Sequence, residues 1–127
     1  MKRAAFLALI LLAGCETARR PYAPLDDIRY QALGAEPFWA VAIGDDRIVL
    51  RTGGQDGDAV WPRTLPRTEG AVRIWQSGEG NAVITVEARP GPCTGAGGQV
   101  HENHVTVRLS GRELNGCGGR LVRRGRD

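Results

Sequence analysis

The side chains best suited to metal chemistry lie together in the segment His101-Glu102-Asn103-His104. Imidazole and carboxylate groups at this spacing could hold a divalent ion weakly, with His101, Glu102 and His104 as the ligands. In a regular strand, however, positions 101 and 104 point to opposite faces of the sheet, and zinc sites need three or four well-placed ligands. The sequence therefore favours two exposed imidazoles at the start of a strand, keeps a weak metal site as the alternative, and implies no cofactor.

Other residues that can carry chemistry lack the neighbours that such chemistry requires. Asp56 and Asp58 resemble a fragment of a calcium loop, but the downstream acidic ligand of an EF-hand is missing at its expected spacing. Ser77 and Ser110 both lie beside glycine, outside any Gly-x-Ser-x-Gly motif. The glycine-rich segment 94–98 is not followed by a helix that could hold phosphate. We therefore expect a protein that is not an enzyme.

The first fifteen residues have the pattern of an export signal. Lys2 and Arg3 precede an unbroken apolar run from residue 4 to residue 13. Because a membrane-spanning helix needs ~20 apolar residues, this run is too short to span a bilayer and has the length of a signal-peptide core. The segment Leu12-Ala13-Gly14-Cys15 then resembles the bacterial lipobox, in which the cysteine is lipidated and becomes the new N-terminus. The alternative is an ordinary secretory peptide with an incidental cysteine.

This signal divides the chain and predicts where it resides. We expect a signal peptide at 1–14, a lipidated N-terminus and tether at 15–29, a β-domain at 30–122 and a basic tail at 123–127. A lipid anchor of several acyl chains holds a protein stably on a membrane. The predicted location is thus the periplasmic face of a bacterial membrane. Glu16, which is not the aspartate that favours inner-membrane retention, favours the outer membrane.

The number of cysteines agrees with export and lipidation. Lipidation of Cys15 would leave one pair, Cys93 and Cys117, which an oxidising periplasm allows to form a disulfide. The bridge would close a loop of 25 residues, worth roughly 3–4 kcal/mol in the chain-entropy model. A metal site or a redox pair is the alternative, although neither cysteine lies in a Cys-x-x-Cys motif.

The charge of the chain argues against a dedicated nucleic-acid binder. Cleavage before Cys15 would lower the formal net charge from +3 to +1, and residues 25–119 contain 9 basic and 12 acidic side chains. A nucleic-acid binder would need a large clustered basic surplus. Four basic residues follow this range near the C-terminal end of the sequence, namely Arg120, Arg123, Arg124 and Arg126. These arginines could contact anionic lipid or peptidoglycan carboxylates, or form a solvated terminus.

Short alternating runs separated by glycine and proline predict an all-β domain. Val105, Val107 and Leu109 give the clearest period of two, and Trp39, Val41 and Ile43 give another. Pro62 confines its segment to an edge strand or an irregular one, and the segment 90–92 (Pro-Gly-Pro) is expected to break the sheet. We predict a small antiparallel barrel or sandwich of about seven or eight short strands with one disulfide.

The three tryptophans hold much of the aromatic area. Trp39 is expected in the core. Trp61 lies in the segment interrupted by proline, and Trp75 is expected to face outward because it alternates with Val72 and Ile74. Exposed tryptophans can mark a binding surface, whereas lids on the ends of a barrel are the alternative.

The start of the predicted domain resembles a family of uncharacterised Gram-negative lipoproteins. Members open with a Gly-x-Glu-Pro-Phe-Trp segment and close with a Gly-Cys pair, and the resemblance covers about residues 30–119. The matching residues are Gly34, Glu36, Pro37, Phe38, Trp39, Gly116 and Cys117, with Cys93 upstream. Relatives often carry an Asp-x-Met-Ser-Gly segment and Tyr-Pro after the first cysteine, where this chain has residues 94–103 without Met or Tyr. In outline the family is similar to META-type domains and lysozyme-inhibitor lipoproteins, which implies a small β-fold on a lipid tether.

These observations predict a lipid-anchored, non-enzymatic binding or structural module of the periplasm. Its expected partners are the membrane, through the anchor, and an envelope protein or peptidoglycan-related component. A lysozyme or hydrolase inhibitor that uses the loop 94–104 is the alternative, and a weak metal-binding protein is a further one.

Overall fold

The computed structural model describes residues 27–53 and 57–125, and the described chain is built almost entirely of β-strands. Cys15 and the rest of the segment before Asp27, together with Asp56 and Arg126, lie outside the described residues. The strands are β1 (Tyr30–Ala35), β2 (Phe38–Ile43), β3 (Arg47–Thr52), β4 (Ala59–Pro62), β5 (Arg67–Glu69), β6 (Val72–Ser77), β7 (Ile84–Thr94), β8 (Val100–Leu109) and β9 (Arg112–Arg123). A single 3₁₀ turn, Gly80–Ala82, lies between β6 and β7. No helix among the described residues is long and apolar enough to cross a membrane.

The nine strands of the described residues form one antiparallel sheet in the order β4-β3-β2-β1-β9-β8-β7-β6-β5. Two runs of neighbouring hairpins, β1–β4 and β5–β9, meet where β1 pairs with β9. The sheet curls into a half-barrel. The curl brings Tyr30 of β1 to a ring-centroid distance of 4.9 Å from Trp75 of β6, although three strands separate β1 and β6 in the sheet. The predicted all-β class is confirmed, with nine strands instead of seven or eight.

Alternating side chains fill the concave face and form the core. The period of two predicted for Trp39, Val41 and Ile43 is confirmed, since each of these residues is buried. The pattern predicted for Val105, Val107 and Leu109 is confirmed at the two valines, which are buried, whereas Leu109 is half-buried and Thr106 between the valines is buried as well. At β6 the predicted faces are wrong, because Trp75 is buried in the core cluster. Ile74 is also buried, so alternation alone could not tell the two faces of β6 apart.

Side-chain hydrogen bonds connect β4, one edge of the sheet, to the other side of the half-barrel. Trp61 donates its indole N–H to the carbonyl oxygen of Ala82 at 2.6 Å. Ser77 donates its hydroxyl to the carbonyl oxygen of Pro62 at 2.7 Å. Pro62 ends β4, an edge strand, as its missing N–H requires. These two side-chain hydrogen bonds thus join β4 to the end of β6 and to the 3₁₀ turn that follows it.

The segment Pro90-Gly91-Pro92 does not break the sheet. It lies inside β7, where the register with β8 shifts between Pro90 and Cys93. This irregularity accommodates Pro90 and Pro92, which have no N–H to donate to a neighbouring strand. Gly91 between them adopts a φ of 131°, which residues other than glycine avoid. The strand therefore continues through the prolines as far as Thr94, and β7 and β8 form one long hairpin.

Candidate functional site

The Gly-x-Glu-Pro-Phe-Trp signature forms the hairpin that joins β1 to β2. Glu36 and Pro37 make the turn, with a cis peptide bond between them, and Gly34 pairs directly with Trp39 across the two strands. Pro37 thus lies in the turn, and β2 begins one residue later at Phe38. Trp39 is 1% exposed and Phe38 is 47% exposed, so the two rings occupy opposite faces as expected for a strand. Glu36 is exposed, and no arginine among the described residues lies within ion-pair distance of it.

Gly34 of this segment and Gly116 of the Gly-Cys pair, which together with Trp39 we call the signature residues, make room for the indole of Trp39. A Cβ on Gly34 would overlap the indole nitrogen and lie 2.7 Å from the carbonyl oxygen of Asn115. A Cβ on Gly116 would overlap the carbonyl oxygen of Leu33 and lie 2.8 Å from Cζ2 of Trp39. The indole N–H donates to the carbonyl oxygen of Asn115 at 3.3 Å. The signature therefore builds the junction between β1, β2 and β9.

The predicted disulfide is confirmed and spans one strand. Cys93 of β7 bonds to Cys117 of β9 with a Cα–Cα distance of 5.5 Å, although β8 lies between these strands in the sheet. On β8, His101 pairs with Cys93 and His104 pairs with Cys117. The bridge therefore brings both histidines and both cysteines to one region of the surface.

An open cavity of about 420 Å³ lies beside this bridge, and we call it the disulfide pocket. It is lined by Leu33, Gly34, Ala35, Cys93, Thr94, Gly95, Ala96, Gln99, His101, His104, Asn115, Gly116 and Cys117. Part of its rim is the tip of the β7–β8 hairpin, where Gly95 donates its N–H to the carbonyl oxygen of Gln99 at 2.7 Å. A second backbone bond, from Gly98 to Gly95 at 3.0 Å, closes the same turn. The pocket thus brings together Gly34, Gly116, the disulfide and residues 94–96 of the glycine-rich segment.

The two histidines of β8 both contribute to the lining of the disulfide pocket. His104 is exposed, as the sequence predicts, whereas His101 is half-buried. The register of β8 shifts against both neighbours in this region, which disturbs the alternation of side chains. Nδ1 of His101 is buried and has no hydrogen-bond partner. A ligand in the pocket could therefore reach this imidazole only through Nε2.

Glu102 does not join the two histidines. Its carboxylate accepts the backbone N–H of Arg120 at 2.8 Å and lies 3.4 Å from the guanidinium of the same residue. This amide belongs to the irregular part of β9, where Gly119 has a φ of 81°. Among the described residues, no group of three or more His, Cys, Asp or Glu side chains is placed to hold a metal ion.

Most of the remaining candidates from the sequence form hydrogen bonds or ion pairs with other residues of the sheet and its turns. Asp58 has a side chain that is 3% exposed and forms two hydrogen bonds with Arg51, at 3.0 and 3.1 Å. The hydroxyl of Ser77 bonds to β4, as described above, and that of Ser110 donates to the carbonyl oxygen of Asn81 at 2.9 Å. Of the tail arginines, Arg120 pairs with Glu102, while Arg123 and Arg124 are exposed.

Sequence reasoning missed a cluster of side chains at one end of the half-barrel. The guanidinium carbon of Arg73 lies 5.1 Å from the ring centroids of both Tyr30 and Trp75. The hydroxyl of Tyr30 donates to Oδ1 of Asn103 at 2.8 Å. Burial raises the pKa of Tyr30 to about 12, against a smaller opposing effect of the Arg73 charge. No local sequence signal points to this cluster, because it forms only when the curl brings β1 against β6.

The disulfide pocket presents polar side chains and glycine backbone in its lining. Its described lining offers two imidazoles, the amides of Gln99 and Asn115, the hydroxyl of Thr94 and glycine backbone, without a carboxylate or an amine.

Comparison of the chain with protein-family models, with curated proteins and with solved structures finds no match in any of the three.

Proposed function

We propose that this chain is a lipid-anchored protein of the bacterial envelope whose β-domain binds an envelope component without catalysing a reaction. The lipobox ending at Cys15 supports the anchor, and Glu16 supports the outer membrane over the inner one. The Cys93–Cys117 disulfide is compatible with an oxidising compartment. The resemblance to Gram-negative lipoproteins with a Gly-x-Glu-Pro-Phe-Trp opening supports the same assignment.

The disulfide pocket is the observation that carries the binding role. Leu33, which is 39% exposed, gives it an apolar wall, and the polar side chains of Thr94 and Asn115, both exposed, line it as well. Ligand sites combine apolar surface with a few polar groups that fix orientation. Since the described residues of the lining include no carboxylate, amine or guanidinium, we expect a neutral segment, such as peptide backbone or sugar, to bind there.

Site-specific crosslinking tests this role. A photo-crosslinking residue at Leu33 should form an adduct with an envelope component in intact cells. The same residue at Val60, which is 52% exposed on β4 and outside the pocket, is the matched control. Adducts at both positions, or at neither, would contradict binding in the disulfide pocket.

Metabolic labelling tests the anchor separately. Labelled palmitate should be incorporated into the wild-type chain and lost in Cys15→Ser. Cys117→Ser removes a cysteine of the β-domain and should keep the label. Label that persists in Cys15→Ser would refute lipidation at this residue.

A second candidate function is inhibition of a lysozyme or another envelope hydrolase. The observation that favours it is the tip of the β7–β8 hairpin, which is exposed at Thr94 and Ala96 and closed by two backbone hydrogen bonds. A preorganised loop loses little conformational entropy when it enters a cleft. Purified domain should then inhibit a muramidase at micromolar concentration. Ala96→Trp should abolish the effect, while Ala71→Trp in the β5–β6 turn should not, and an inactive wild-type domain would contradict this function.

A further inference from the structure

Arg73 is held by aromatic rings and has no anionic partner in the described chain. Its guanidinium carbon is equally distant, at 5.1 Å, from the ring centroids of Tyr30 and Trp75. Neither a hydrogen-bond acceptor nor a carboxylate among the described residues contacts its side chain. Stacking restricts the guanidinium without using its N–H donors. The group is therefore partly ordered before any ligand arrives.

A pocket of about 420 Å³ opens beside this guanidinium, and we call it the mouth pocket. Arg29, Tyr30, Gln31, Arg73, Glu102 and Arg120 contribute to its lining. It is separate from the disulfide pocket, with which it shares no lining residue.

The charges of the mouth pocket leave one cation unneutralised. Arg29 forms two hydrogen bonds with Asp45, at 2.5 and 3.2 Å, and Arg120 pairs with Glu102 at 3.4 Å. Tyr30 is neutral at physiological pH, as any phenol is, and burial raises its pKa further, to about 12. Of the three arginines in this pocket, Arg73 is thus the one that forms no ion pair with a described carboxylate.

We propose that the mouth pocket binds a ligand that ends in a carboxylate, with Arg73 as its principal contact. A guanidinium and a carboxylate match in shape and can form two parallel hydrogen bonds. One uncompensated positive charge suits a monoanion, whereas a phosphate dianion would lie close to Glu102 with a single cation to balance it. The amide of Gln31, exposed in the same pocket, is available for a neutral polar group next to the carboxylate.

This site does not depend on the lipid anchor or on the disulfide pocket. Titration of the purified protein with N-acetyl-alanine, followed by NMR of the arginine side-chain N–H groups, should move the signal of Arg73 with a dissociation constant on the order of millimolar. N-acetyl-alaninamide has the same shape without the charge and should produce no shift. Inorganic phosphate should bind more weakly than N-acetyl-alanine.

Two substitutions at Arg73 separate charge from geometry. Arg73→Gln should weaken binding at least tenfold, and Arg73→Lys should weaken it severalfold because an ammonium cannot form the paired hydrogen bonds. Arg112→Gln removes an exposed arginine of β9 outside the mouth pocket and should bind like the wild type. Melting temperatures close to that of the wild type show that the variants are folded.

The outcomes distinguish the proposal from nonspecific attraction. Unchanged binding by folded Arg73→Gln, or equal binding of the amide, would refute the site. Tighter binding of phosphate than of N-acetyl-alanine would refute the assignment to a carboxylate. A failure of these titrations would leave the crosslinking test at Leu33 unaffected, since the two pockets share no residue.

Discussion

The substitution Gly116→Ala tests whether the signature residues are a packing unit. The added Cβ would overlap the carbonyl oxygen of Leu33 and lie 2.8 Å from its carbonyl carbon and from Cζ2 of Trp39. Carbon atoms in favourable contact are about 3.5–4.0 Å apart, so the neighbours would have to move by roughly 1 Å. Among the described residues of β1, only Ala32 and Leu33 pair with β9. The strain therefore falls on the junction that joins the two halves of the sheet.

The expected loss of stability combines two effects. Overpacking of a well-packed core costs about 1–3 kcal/mol, and a weakened hydrogen bond from Trp39 to Asn115 costs about 1 kcal/mol. The sum, roughly 2–4 kcal/mol, is a large fraction of a typical 5–15 kcal/mol. Because 1 kcal/mol shifts the melting temperature of a domain of this size by about 4–8 °C, we expect a decrease of about 8–32 °C.

Thermal and urea unfolding, monitored by tryptophan fluorescence, measure this loss of stability. Gly53→Ala is the matched control, because a Cβ there meets nothing within 4 Å and the residue has no positive φ. That variant should unfold within about 0.5 kcal/mol of the wild type. Equal stability of Gly116→Ala and the wild type, or an equal loss in Gly53→Ala, would refute the packing explanation.

Three further perturbations test other contacts. Replacing Cys93 and Cys117 by serine should lower the free energy of unfolding by roughly 3–4 kcal/mol in urea titrations, because the closed loop of the unfolded chain is released; a change below about 1 kcal/mol would contradict this. The stability that neutral Tyr30 contributes is complete below pH 10 and is lost as the pH rises toward 12, at about 1.4 kcal/mol per pH unit. Tyr30→Phe should remove that part of the pH dependence, and an unchanged slope between pH 10 and 12 would show that another group causes it. Arg51→Gln should cost about 1.5–3 kcal/mol in chemical unfolding, since it leaves the buried carboxylate of Asp58 without its charged donor; stability equal to the wild type would mean that water replaces the arginine.

Local pattern predicted what depends on local chain geometry. The alternation at Val105 and Val107 identified a strand and its buried face, and the pair Cys93 and Cys117 was predicted to form the disulfide. Both were correct because a regular strand repeats every two residues and because only two cysteines remain after Cys15. The class of fold followed from such strands and from their turn residues.

The errors occurred where the strands are irregular or the contacts are long-range. The prolines at 90–92 were expected to break the sheet, but a register shift keeps them in β7. The same kind of shift places His101 and His104 in one pocket. The stack of Arg73 depends on the curl of the whole sheet, which no window of sequence contains. The two pockets were therefore accessible only from the three-dimensional arrangement.

The two edges of the sheet also determine how copies of this protein behave toward one another. β4 has four residues and ends at Pro62, which offers no N–H to an incoming strand. β5 has three residues, all exposed, with the charged Arg67 and Glu69 at its ends. Short edges with proline and charge resist intermolecular strand pairing. Crowding of many copies on a surface should therefore not lead to edge-to-edge aggregation.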